Sequence, residues 1–350
     1  MSNAFRELLK KIGSGPHTGK NLCRAEARAA MAMMLTQEAT PAQIGGFLLA
    51  HRIRRPTGEE LAGMLDAYDI LGPQVPEIDS PNSVSVLGIP YDGRSRTFPL
   101  GIAITLALAA ADYPVLLHGG TRMPTKYGIP LVEMWLELGL DWRSLALTEV
   151  HHHLQTQGIG FVYLPKHFPL AHGLVQYRDE IGKRPPLATL ELMWSPYAGK
   201  NQQVIAGFVH PPTETMMREA CALRGLDTFM TIKGQEGSGD LPLDRTSLLG
   251  VNRGASWERL KLRSREYGLK GANIPLPEDR EILREQLIET LQGKPNAIQP
   301  HLIWNVGVYL WLLKACPTLD KALELGRSLI TAGAAWDKLT ALKTSLTAAC

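Results

Sequence analysis

SVSVLGIPYDGRSRTFPLGIAITLALAAADYPVLLHGG, running from Ser83 to Gly120, is the stretch that decides the fold. Ser83–Gly88 has the β-branched texture of a short strand, Pro99–Ala111 is a helix of small and apolar residues, and Pro114–His118 is a second strand. A strand, a helix and a second strand within so few residues predict a parallel β-α-β unit. Such units place their ligand-handling loops at the carboxyl ends of the strands.

The same alternation continues downstream. Val132–Leu138 predicts a helix, Gly158–Leu164 a strand, and Val204–Val209 and Thr228–Lys233 two more strands. Helical spacing follows in Pro277–Gln292, Asn305–Lys314 and Leu319–Ala332. Upstream the texture is wholly helical. Phe5, Leu8, Leu9 and Ile12 recur on one face, a second helix spans Arg24–Leu35, and a third begins at Thr40-Pro41. Thr57 with Glu60 forms a capping box that opens a fourth helix through Leu71. The Pro- and Asp-containing stretch from Gly72 to Asn82 reads as a linker. The expected organisation is a helical domain over residues 1–73, joined by about 166–195, and an α/β domain built from 82–165 and 200–350 around a central, mostly parallel sheet.

A chain of 350 residues with 45% apolar and 20% charged side chains suits two globular domains. Its net charge of +3 permits contact with phosphates without demanding a nucleic-acid partner. Cys23, Cys221, Cys316 and Cys350 are scattered, which suits a reducing compartment. The N-terminus MSNAFRELLKKIG reads as an amphipathic helix without an apolar signal core, and the run Gly101–Leu117 is broken by Asp112 and Pro114. The expectation is a cytoplasmic protein with no membrane partner.

Two loops could carry chemistry. In the first, from Leu87 to Phe98, the glycines let backbone approach a ligand, Asp92 could hold a metal-bound water or a ribose hydroxyl, and Arg94 and Arg96 could pair phosphate. The helix that follows offers free N–H groups to an anion. A tight turn capped by Asp92 with two solvated arginines explains the same residues. In the second loop, His118 stands beside Gly119 and Gly120, where a strand-end histidine serves equally as a hydrogen-bonding group.

In order along the chain, Gly88–Leu100, Leu117-His-Gly-Gly-Thr-Arg, Thr125-Lys-Tyr-Gly, Leu131-Val-Glu-Met-Trp-Leu-Glu-Leu-Gly, Gly158–Pro169, Tyr177–Arg184, Asn305–Leu310 and Leu323–Arg327 resemble the anthranilate phosphoribosyltransferase family. That family carries G-T-G-G-D-G, K-H-G-N-R, S-S-x-x-G-S-A-D-x-L-E-A-L-G, G-I-G-F and V-R-R-E-L-G at these places. The resemblance implies a two-domain, nucleoside-phosphorylase/phosphoribosyltransferase-like α/β fold with a helical N-terminal domain that mediates a homodimer. It implies a glycosyltransferase acting on phosphoribosyl pyrophosphate or a related phosphorylated ribose, as in tryptophan biosynthesis, with Gly88, Asp92, His118, Gly119 and Thr125 at the donor. Arg178 aligns with the arginine that holds the anthranilate carboxylate. Magnesium would fall to Asp240, with Glu236 nearby.

The substrate motifs depart from the family's. Ile89-Pro90-Tyr91 replaces small residues, and Pro90 has no N–H to donate. Pro99-Leu-Gly-Ile stands for N-x-S-T, Leu117 for a lysine, Gly120 for an asparagine and Gly239 for a magnesium-binding aspartate. Two functional readings follow: a divergent phosphoribosyltransferase with an altered donor or acceptor, and a non-catalytic member that binds nucleic acid. For the second, Arg253, Arg259, Lys261, Arg263 and Arg265 are interleaved with Trp257 and Tyr267, and His51-Arg-Ile-Arg-Arg adds three arginines. A solvated face explains such a stretch as well. The run His151-His-His cannot turn three consecutive side chains to one ion on a helix, so a solvated helix start is expected there.

Overall fold

The computed structural model describes residues 2–15, 17–253 and 256–348, excepting the side chains of Arg253, Thr347 and Ala348. Four helices open the chain: α1 (Asn3–Gly13), α2 (Arg24–Leu35), α3 (Pro41–Arg54) and α4 (Gly58–Leu71). Each is amphipathic, and Phe5, Ile12, Met31, Ile44, Phe47, Leu48 and Leu65 meet in their common interior. The capping box at α4 forms as its spacing requires, Thr57 Oγ1 accepting from the Glu60 N–H while Glu60 Oε2 accepts from the Thr57 N–H.

β1 (Val84–Gly88), α5 (Gly101–Ala110) and β2 (Val115–Gly119) form the parallel unit expected of Ser83–Gly120. α6 (Leu131–Glu137) and α7 (Leu147–Gln157) lead to β3 (Ile159–Tyr163). Four short helices then return the chain to the middle of the sheet: α8 (Leu164–His167), α9 (Pro169–His172), α10 (Val175–Glu180) and α11 (Leu187–Met193). β4 (Gln202–Gly207), α12 (Pro211–Leu223) and β5 (Phe229–Ile232) continue the parallel pattern. β6 (Ser247–Arg253) and β7 (Ser256–Leu262) turn antiparallel, and α13 (Arg280–Leu291), α14 (Gln299–Leu312), α15 (Leu319–Thr331) and α16 (Ala334–Ala348) close the chain.

The seven strands run in the order β3-β2-β1-β4-β5-β6-β7. Chain direction across the sheet reverses between β1 and β4, so the loops that leave their carboxyl ends diverge and open a crevice there. α5 is buried nearly all round, because α14, α15 and α16 cover the side that faces away from the strands.

The helical part is fastened to the sheet at two places. A Cβ at Gly58 would lie 2.2 Å from the Glu219 Cβ, so α4 and α12 touch backbone to side chain. Beside that contact Asp66 bridges Arg24 and Arg224 at 2.6 and 3.4 Å. Further along, Tyr68, Phe168 and Trp194 stack edge to face, and His118 packs against Trp194 at 5.2 Å between ring centres. Within the return, α10 rests on α3, with Tyr177 Oη donating to Gln37 Oε1 at 2.6 Å, while α11 lies against β1 and β4. Among the described residues no helix is long and apolar enough to cross a membrane.

Candidate functional site

The loop after β1 folds inward. Ile89, Tyr91, Asp92 and Arg94 are all buried. Gly88 is needed for packing, since a Cβ there would come 2.0 Å from the Leu192 carbonyl oxygen on α11. The Tyr91 hydroxyl meets His118 Nδ1 at 2.5 Å. Burial draws the His118 pKa down to about 3, so the imidazole is neutral at physiological pH. Gly119 lies beneath the Phe161 and Tyr91 rings, and Thr125 stands exposed on the loop after β2.

Several groups expected to receive an anion are instead engaged by a carboxylate of the chain itself. Glu236 accepts from the N–H groups of Ser95, Arg96 and Thr97 at 3.3, 3.0 and 3.0 Å, and from the hydroxyls of Ser95 and Thr97 at 3.1 and 3.0 Å. Burial alone would raise its pKa, but Arg94, the Arg96 N–H, Lys126 and the Thr97 hydroxyl outweigh burial and hold it at about 2. Glu236 adopts φ +53°, a strained conformation for a non-glycine residue, which this set of donors keeps in place. Asp240 Oδ2 accepts from the Leu100 N–H at 3.0 Å, at the N-terminal end of α5 where an anion was expected.

Arg94, expected to pair phosphate, donates within the chain to the Gln235 carbonyl at 2.6 Å and to Ser238 and Thr97 Oγ at 2.5 Å each, with Asp240 at 3.3 Å. Arg178, expected to hold a substrate carboxylate, is buried against Glu191 at 2.9 Å. Burial raises the Glu191 pKa against the pull of Arg178 and Arg184. Between Pro90, Gly93, Pro99 and Asp240 the free space is about 20 Å³, room for about one water and far too little for a diphosphate.

What stays open lies further out, along the carboxyl ends of β4 and β5. A cavity of about 390 Å³ is lined by Arg52, Arg55, Arg184, His210 and the first turn of α12, with no carboxylate in its wall. Val209 also lines a second cavity of about 660 Å³, whose wall includes Arg96, Lys233 and Arg245. Its one carboxylate, Glu236, is the one already held by loop N–H groups. Arg55 closes α3 at φ +64°, a conformation that favours glycine.

Residues 6–69 match the model of the helical bundle domain of a glycosyl transferase family. The anthranilate phosphoribosyltransferase of Azorhizobium caulinodans is 28% identical over 346 residues, covering 97% of this chain and 95% of its own. That of Nitrobacter hamburgensis is 27% identical over 342 residues, 95% and 97% of the two chains. The fold agrees with the anthranilate phosphoribosyltransferase of Saccharomyces cerevisiae in complex with PRPP and Mg at a TM-score of 0.84 and 16% identity, covering 99% of both chains. It agrees with that of Thermus thermophilus at 0.78 and 19% identity, over 99% and 100%. Along nearly its whole length the chain is similar to anthranilate phosphoribosyltransferases.

The magnesium implied by the family does not fit the residues present. Gly239 offers no ligand, Asp240 is bonded to the Leu100 N–H and lies beside Arg94, and the oxygens of Glu236 already accept from N–H and hydroxyl donors. A ligand carboxylate must present free lone pairs at about 2.0–2.1 Å from the ion. Among the described residues no group of three or more His, Cys, Asp or Glu side chains could hold a metal ion. In the histidine run, His151 approaches the Glu77 carbonyl and His153 is buried against Ser345.

The basic stretch lies on an edge hairpin, where two of its cations are paired. Arg259 is bonded to the buried Glu214 on α12, and Arg263 reaches Glu266 at 3.4 Å. Lys261 and Arg265 are exposed, while the Arg253 side chain lies outside the described residues. Lys261 pairs in register with Leu248, whose carbonyl accepts from the Lys233 N–H, so Lys261 stands level with the second cavity. Sequence reasoning passed over Glu191, Lys126, Arg184 and Lys233. Glu191 alone left a trace, as a single charge within Leu187–Met193 that needs a buried partner.

Proposed function

We propose that this anthranilate phosphoribosyltransferase-like protein binds the phosphate backbone of single-stranded nucleic acid along its outer groove, and does not transfer a phosphoribosyl group to anthranilate. The observation that carries the reading is the contrast between closed and open cation sites. Arg178, the N–H groups of Ser95–Thr97 and the N-terminal end of α5 are each matched by an internal carboxylate. Arg52, Arg55 and Lys233 line the two outer cavities instead; of the other cations there, Arg184, Arg96 and Arg245 stand 3.7, 3.9 and 3.1 Å from Asp92, Glu236 and Asp244. The helical body, residues 1–73 with the return at 166–195, supplies one wall and the ends of β4 and β5 the floor. Lys261 stands level with the second cavity at the sheet edge. Arg55 supports the reading further: an arginine held where glycine is favoured implies a use for its charge. The protein acts as a homodimer through the helical body.

The test is a salt titration of a labelled oligonucleotide by fluorescence anisotropy. Each phosphate contact to a single strand contributes about −0.7 to the slope of log K against log salt. Six engaged cations therefore give a slope of about −4, and replacing Arg52, Arg55 and Lys233 together by alanine brings it to about −2. In parallel, calorimetry with phosphoribosyl pyrophosphate and magnesium should give no heat of binding. Tight donor binding with turnover of anthranilate would return the chain to the transferases. Binding with a slope unchanged by the triple replacement would move the nucleic acid off this groove.

A further inference from the structure

We infer that the Lys126 ammonium occupies the place of a divalent cation at the base of the cleft, so that this protein works without metal and conceals a cation site that one substitution uncovers. Lys126 Nζ donates to the Gly93 carbonyl at 2.9 Å, and stands 3.4 Å from Glu236 Oε2 and 3.5 Å from Asp92 Oδ1. Three oxygens thus converge on one positive centre: the Gly93 carbonyl, Asp92 Oδ1, whose lone pairs are unused, and Glu236 Oε2, which also accepts from Ser95. The carboxylates are deeply enclosed, with side-chain exposures of 0% for Asp92 and 2% for Glu236.

Asp92 marks the place as a site and not merely a salt bridge. Both of its oxygens are buried and neither has a hydrogen-bond partner. Its nearest positive groups, Lys126 at 3.5 Å and Arg184 at 3.7 Å, lie beyond hydrogen-bond length. A buried carboxylate with unused lone pairs is costly, and a tightly coordinated cation would relieve that cost. In the intact protein the ammonium and its methylene stem fill the approach. Arg94 is held in place by Gln235, Ser238 and Thr97, and Arg184 stands 3.7 Å from Asp92 Oδ1. The Lys126 side chain is 21% exposed, so its loss opens a path from solvent.

The inference does not depend on what the outer groove binds, because it is read with the metal ion alone. Manganese binding to the full-length protein is followed by electron paramagnetic resonance and calorimetry. The unmodified protein should bind no manganese into the millimolar range. Lys126→Ala should bind one ion per chain, at least about tenfold more tightly than any residual binding by the parent. Lys126→Met removes the same charge but leaves an apolar stem in the path, and should gain nothing. Adding Asp92→Asn to Lys126→Ala should abolish the gain. Stoichiometric manganese on the unmodified protein overturns the inference, as do a folded Lys126→Ala protein that gains no ion, a matching gain in Lys126→Met, or a gain that survives Asp92→Asn. Should Lys126→Ala fail to fold without metal, manganese should restore its cooperative thermal transition. No restoration would equally overturn it.

Discussion

Glu236 shows how an active-site frame can be turned inward by one side chain. Its carboxylate accepts from three successive N–H groups and two hydroxyls, a pattern that receives anions in many proteins. Its pKa is held at about 2 by Arg94, the Arg96 N–H, Lys126 and Thr97, despite the opposing effect of burial. A folded-state pKa below the unfolded one means that the carboxylate stabilises the fold above the unfolded value. That stability is lost as pH falls through the folded value. Comparing the parent with Glu236→Gln by urea unfolding should therefore show a stability difference on the order of 3 kcal/mol near neutral pH. The difference should shrink between about pH 5 and pH 2. A difference that stays constant over that range would mean Glu236 titrates as an ordinary glutamate. The sequence singled out Arg94, Arg178, Glu236 and Asp240, of which Arg94 lies against Glu236 and Asp240, while Arg178 is paired with Glu191. It did not reveal their roles, because a motif specifies an anion receptor without saying which anion occupies it. Glu191 lies 13 residues beyond Arg178, and only the turn before α11 brings the two together.

At the level of elements the parallel strands were legible because each is a short apolar run bounded by glycine, proline or charge. β6 and β7 were not, since β7 is an edge strand whose exposed positions carry Glu258, Arg259 and Lys261, and the charges masked its alternation. α12 went unread because its two leading prolines suggest a loop, although proline suits the first turn of a helix. The loop after β1 combines both lessons. From its sequence alone, restoring the family's residues should restore the donor site, through Ile89→Thr, Pro90→Gly, Tyr91→Gly, Leu117→Lys and Gly239→Asp. The structure alters that expectation, because the N–H groups of residues 95–97 remain bonded to Glu236 whatever stands at 89–91. The fivefold variant should therefore bind phosphoribosyl pyrophosphate with magnesium no better than the parent by calorimetry. Adding Glu236→Ala, which frees those donors, should make binding measurable. If the fivefold variant alone binds the donor, Tyr91 and its neighbours were the obstacle and the internal carboxylate was not.

On the scale of the whole molecule, the fastening of α4 to α12 through Gly58, Asp66, Arg24 and Arg224 fixes one wall of the groove against its floor. The apolar faces of α1 and α3 are mostly consumed within the helical body, where Phe5, Ile12, Ile44, Phe47 and Leu48 are buried. What remains outside on α3 is Leu49 at 42% and Ile53 at 74% exposure, with Ile70 at 67% on α4. Ile53 directly follows Arg52, a groove residue, so a dimer formed on this face brings two grooves near one another. Ile53→Asp should then convert a dimer into a monomer by sedimentation at micromolar concentration. Binding of an oligonucleotide short enough for one groove should stay unchanged per protomer. An oligonucleotide long enough to span both should lose about a hundredfold in affinity, because the second engagement is no longer intramolecular. A parent protein that sediments as a monomer would remove the dimer. A dimer whose long and short oligonucleotides weaken equally on Ile53→Asp would show that the residue acts on one groove and not on the pairing of two.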